Sequence, residues 1–145
     1  MISIRHSASA LLMGAVAAAG VMGSSSTTAH AFTCSDYEVA TIVRLTNEYR
    51  ESRGLGSLRC DQHMVEESQA WADKLRAEGD ITHAEGNFAE NLAWFHREVA
   101  PEEVMDSWIN SPLHRLNILD EGASMMGAGW SYGEDEGTYA VQRLG

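Results

Sequence analysis

The hydrophobic periodicity of this chain changes once along its length, and that change limits the folds open to it. Before residue 120, apolar residues recur at three- and four-residue intervals, the spacing of a helix face. Val39, Ile42, Val43, Thr46 and Tyr49 share one face of a first helix. Ser35-Asp36-Tyr37-Glu38 reads as its capping box, and Gly54 and Gly56 as its stop. A second helix starts near Asp61, buries Met64, Ser68, Trp71, Ala72 and Leu75, and ends at Gly79. Pro101 suits the first turn of a third helix, which carries Val104, Met105 and Trp108. Ser111-Pro112 opens a short fourth with Leu113, Leu116 and Ile118. Residues 125–132 and 138–144 instead read as two strands joined by an acidic, glycine-bounded turn. Helices first and a strand pair last predict an α+β domain, its helices packed on a small antiparallel sheet. Residues 80–97 fit neither pattern. They read as an irregular stretch too long for a plain connector, the kind of segment that carries function.

The amino end has a different logic. Arg5 and His6 precede an apolar run of about 15 residues over 8–22, then a Ser/Thr patch and Ala29-His30-Ala31. This is the grammar of a cleavable secretory signal peptide over 1–31, cut before Phe32. As a membrane anchor the run is short of the ~20 residues a bilayer needs, and no second apolar run follows. The expectation is a secreted, extracellular protein with one domain over 32–145, no membrane span after cleavage, and a monomeric state.

That domain holds nine basic and 21 acidic residues, a formal charge of −12. Such a surface repels nucleic-acid phosphates, so no nucleic-acid partner is expected. Its two cysteines, Cys34 and Cys60, would meet an oxidising compartment and are expected to pair. The 27-residue loop so closed is worth roughly 3–4 kcal/mol in the chain-entropy account.

No H-E-x-x-H, G-x-x-x-x-G-K-[ST], G-x-S-x-G or C-x-x-C is present. What stands out is His83, Glu90 and His114, each among apolar or small neighbours. A carboxylate in apolar company needs a partner, and an imidazole can supply one. Two imidazoles and a carboxylate can hold a divalent metal with a position open, act as acid and base, or simply be satisfied structural groups. Trp71, Trp94 and Trp108 read as core, Trp130 as core or ligand platform, and His63 and His96 as exposed and idle.

The same residues carry a resemblance. Phe88-Ala89-Glu90-Asn91-Leu92-Ala93-Trp94 looks like the GENLAW motif of the CAP superfamily (SCP domains): the cysteine-rich secretory proteins, antigen 5 and plant pathogenesis-related proteins. Residues 108–119 resemble the W-x-x-S-x-x-H-R-x-x-I-L hallmark of its short bacterial branch. Asn47-Glu48-Tyr49-Arg50 fits the family's N-x-x-R, and Gly127-Ala128-Gly129 its G-V-G. The resemblance spans about residues 38–145. It implies an α-β-α sandwich with a central cleft whose ligand-facing residues are His83, Glu90, Ser111 and His114. It makes His83 and His114 the metal ligands, with zinc the first candidate cation. Ser111 stands where animal and plant members carry a second glutamate, so a two-glutamate acid/base pair is absent. Ala89 replaces the motif's glycine. The resemblance leads to a small or lipid-like ligand, or a host or cell-surface component, as partner. The alternatives are an extracellular hydrolase, a peptidase or cell-wall enzyme with a metal-bound or Glu90-activated water, and a non-catalytic interaction module.

Overall fold

The last two strands organise the fold. In the computed structural model, which describes residues 31–145, β3 (Met125–Gly133) and β4 (Gly137–Leu144) form an antiparallel hairpin closed by the Gly133–Gly137 pair. The expected leader, 1–31, lies outside the described residues apart from Ala31. Ahead of the hairpin come α1 (Tyr37–Ser52), β1 (Arg59–Cys60), α2 (Gln62–Glu78), β2 (Ala89–Phe95), α3 (Pro101–Ile109) and α4 (Pro112–Ile118). The strand order is β1-β3-β4-β2.

This sheet is larger than the expected hairpin and is mixed. β1 joins β3 in parallel, and β2 joins β4 antiparallel over seven residue pairs, from Ala89↔Leu144 to Phe95↔Thr138. β2 lies inside the stretch read as irregular. Its sequence, AENLAWF, has no β-branched residue and no strict alternation, so local propensity favours no strand. The ladder offered by β4 overrides that.

Helices cover both faces, so the fold is an α-β-α sandwich. α2 lies on one face, across β3 and β4, while α1, α3 and α4 lie on the other. The α2 face of β3 presents Gly127, Gly129 and Ser131. A Cβ at Gly127 would lie 2.3 Å from the Met64 carbonyl carbon, and one at Gly129 2.2 Å from the Ser68 oxygen. Only glycine lets this helix seat on its strand. Beyond them, Ala72 and Leu75 meet Leu92, Tyr139 and Val141. On the opposite face Ile42, Val104, Met105, Trp108 and Ile118 pack with Met126, Trp130 and Leu144.

The helix ends follow local chemistry, with one exception. Asp61 caps α2 by accepting from the Met64 N–H at 3.1 Å, and Gly79 closes it in the left-handed conformation. At α1 the expected capping box is absent. The cap is Asp36, one residue later than expected, and its carboxylate accepts from the Thr33 N–H and hydroxyl. The chain turn before the helix competes for the acid and wins. Cys34 and Cys60 are disulfide-bonded, tying the residues ahead of α1 to those ahead of α2. Among the described residues no helix is long and apolar enough to cross a membrane.

Leu113 and Leu116 point outward, 76% and 66% exposed, because α4 is a short helix buried mainly through Ile118. One further expectation is corrected. Trp94 is half exposed rather than core, because it stands on an edge strand beyond the end of α2. Trp108 and Trp130 are buried, and Trp71 is half-buried.

Candidate functional site

β2 and the segments around it hold His83, Glu90, Ser111 and His114. Its alternation sends Glu90, Leu92 and Trp94 toward the α2 face and Asn91 toward the α1 face. Glu90 is almost wholly buried, its side chain 4% exposed. Its Oε1 accepts from His83 Nδ1 at 2.8 Å and from the Ala84 N–H at 3.0 Å. Its Oε2 accepts from Arg143 Nε at 3.0 Å. Arg143 stands directly opposite Glu90 in the ladder, is equally buried, and lies over the Phe88 ring at 4.4 Å. The buried acid is therefore paired and satisfied on both oxygens, which is what burial of a carboxylate demands.

His83 differs from its partner. Its side chain is 65% exposed, so the imidazole is anchored through Nδ1 and presents Nε2 to solvent. His114, on α4 at the other side of β2, shares a 2.8 Å hydrogen bond between its Nδ1 and Ser111 Oγ. Burial first, and then the neighbouring His83 imidazole, holds the His114 pKa below the ordinary histidine value. The shift favours the neutral ring at neutral pH. Ser111 engages Nδ1 of His114, and no described residue bonds its Nε2.

A buried polar network underlies the site. Asn91 Nδ2 donates to the His114 carbonyl at 3.1 Å and to Gln142 Oε1 at 2.9 Å. Asn117 Nδ2 donates to Asn91 Oδ1 and to the Glu90 carbonyl. Gln142 Nε2 closes the chain on Thr46 of α1. Arg115 donates to the Ile109 carbonyl. These bonds fix α4, and with it His114, against β2. Sequence reasoning missed Arg143, Asn91 and Gln142. A residue-by-residue pattern could have flagged them only as polar residues inside otherwise apolar strands.

The set brings His83 and Glu90 into contact, and His114 and Ser111 into contact. Among the described residues no group of three or more His, Cys, Asp or Glu converges as a metal cage. Two imidazoles each fixed through Nδ1, one by a carboxylate and one by a hydroxyl, nevertheless match how metal-binding histidines are oriented. His63 and His96 are exposed, His63 beside Glu67 and His96 beside Trp94.

Comparison with known proteins bears on the family and the fold. The model of the cysteine-rich secretory protein (CAP) family matches residues 43–144. Protein YkwD of Bacillus subtilis is 27% identical over 106 residues, 61% of this chain and 40% of that protein, so the chain spans about two fifths of that relative's length. An outer surface protein of Borrelia burgdorferi superposes with a TM-score of 0.68 at 19% identity, covering 80% of this chain and 96% of that one. An extracellular SCP-domain protein of Bacillus anthracis gives a TM-score of 0.64 at 21% identity, covering 74% and 39%. At these identities the two structures speak to the fold.

Proposed function

The chain belongs to the cysteine-rich secretory protein (CAP) family, and on that footing we propose that it is an exported binding protein. Its His83/His114 site takes a small or lipid-like ligand together with a divalent cation, zinc first. The observation that carries the reading is the bonding of the two imidazoles. Each is held at Nδ1, by Glu90 or by Ser111, and each keeps Nε2 for something else. A bound cation would supply a positive centre that anchors an oxygen of the ligand. Leu113 and Leu116, on the same short helix as His114, are exposed apolar residues that a ligand with an aliphatic part could use. The same bonding favours binding over hydrolysis. Glu90 already accepts three hydrogen bonds from Arg143, His83 and Ala84, which makes it a positioning group with both oxygens engaged. Export is supported by the leader grammar of 1–31 and by the disulfide.

Isothermal titration with zinc tests the cation. The wild type is expected to give a saturable heat that disappears in the His83→Ala/His114→Ala double variant. Equal heats in both would overturn the cation reading. Amino-terminal sequencing of protein recovered from culture medium tests export, with Phe32 expected as the first residue. Recovery only of chains starting at Met1 would overturn it.

A further inference from the structure

A pocket lies beyond the end of α2, and neither His83 nor His114 lines it. It measures about 250 Å³ and is lined by Gly79, Asp80, Ile81, Trp94 and Tyr139. Three observations give it a chemistry. First, Trp94 is 50% exposed yet held in place: its indole N–H donates to the Glu136 carbonyl at 2.9 Å. Tyr139 lies 6.2 Å from it, centroid to centroid, so two π faces meet at the pocket. Second, Tyr139 is only 3% exposed, and no described residue bonds its hydroxyl. Among the described residues Ser68 Oγ is the one fully enclosed side-chain polar atom without a partner. The Tyr139 hydroxyl is therefore not fully enclosed, and Tyr139 is one of the residues that line the pocket. Third, Asp80 stands at the rim. Its oxygens accept from the Thr82 hydroxyl at 2.7 Å and the Ile81 N–H at 2.8 Å, which orients the carboxylate and leaves each oxygen a further lone pair.

We propose that this pocket binds an organic cation, a primary ammonium or guanidinium group, over the Trp94 ring and against the Asp80 carboxylate. Aromatic faces and a carboxylate are what such a group needs. The Tyr139 hydroxyl accepts one of its N–H bonds. The chain's formal charge of −11 concentrates cations near its surface. The Thr82 and Ile81 bonds also hold the Asp80 pKa below the ordinary carboxylate value, so its charge persists into acid. Lys74, whose charge reaches Asp80, is engaged elsewhere: it lies over Trp71 and pairs with Glu78 at 3.0 Å. A sugar would also stack on Trp94, but it carries no positive charge to meet the Asp80 carboxylate.

Proton–nitrogen NMR of the disulfide-intact protein tests this. The probes are butylammonium, the N-acetyl methylamides of lysine and arginine, and N-acetylglucosamine. The amine and at least one amino-acid probe are expected to shift the Trp94 indole and Gly79 amide signals saturably, at millimolar concentrations. Trp94→Ala and Asp80→Asn, both surface changes, should each weaken binding about tenfold, read at Gly79. Trp94→Phe, which keeps a π face, should retain most of it. The His83→Ala/His114→Ala variant should bind the cations as the wild type does, which separates this pocket from the other site. Tighter binding of the amino-acid probes would identify basic side chains as the source, and equal binding a free amine. No saturable shift with any cation, affinity unchanged by Asp80→Asn, or saturation by N-acetylglucosamine alone would each overturn the proposal.

Discussion

Glu90 and Arg143 are both nearly excluded from water and face each other across two strands. Such a pair contributes little against an apolar pair, but losing one member leaves a buried charge alone. Arg143→Met is therefore expected to destabilise the fold by about 3–5 kcal/mol, read by urea denaturation. A loss under ~1 kcal/mol would mean that the carboxylate finds water. Ser68 is the opposite case. Its hydroxyl is buried without a partner among the described residues. Ser68→Ala removes an unmet polar group and improves helix propensity, so it should stabilise by roughly 1 kcal/mol in the same measurement.

At the scale of elements, the closest contact is α2 on β3. Gly129→Ala places a methyl against the Ser68 backbone, which has no side-chain freedom with which to yield. A loss of roughly 2–3 kcal/mol is expected, with α2 the first element to exchange its amides. The other end of that helix titrates. The Met64 N–H holds the Asp61 pKa below its ordinary value. The folded state thus binds fewer protons than the unfolded one near pH 4. The stabilisation is present above the unfolded value of 3.8 and is lost as pH falls through the lower folded value. Asp61→Asn keeps a capping oxygen without the charge. Its melting temperature should approach the wild type's as pH falls below 4, and a constant gap would contradict the assignment. Arg50 does similar work for α1, donating to the carbonyls of Gly56, Ile118 and Asp120 and so joining the end of α1 to the end of α4.

For the whole molecule, the disulfide is the one covalent constraint outside the backbone among the described residues. It spans a sequence separation of 26, so its removal by Cys34→Ser/Cys60→Ser should cost roughly 3–4 kcal/mol. Thermal unfolding should show a midpoint lowered by on the order of 10 °C, with the sandwich retained in the far-ultraviolet spectrum. The acidic surface and the cation pocket belong to this scale as well. Raising the ionic strength should weaken cation binding in the Trp94 pocket, because part of the attraction comes from the net charge of the molecule.

The sequence determined what depends on neighbours along the chain. The buried faces of α1, α2 and α3, the Asp61 and Gly79 caps of α2 and the β3–β4 hairpin follow from spacing, turn chemistry and capping, all settled within a few residues. The CAP motif likewise pointed to His83, Glu90, Ser111 and His114. Tertiary structure decided what depends on partners far away. β2 is a strand because β4 offers seven positions to pair with, although its own residues do not ask for one. Glu90 is satisfied by an arginine 53 positions later. Leu113, Leu116 and Trp94 look like core in a linear pattern and are left in water, because α4 is too short and β2 too near the edge for anything to cover them. Periodicity reports which side of an element is apolar. Only the assembled layers determine whether another element is there to meet it.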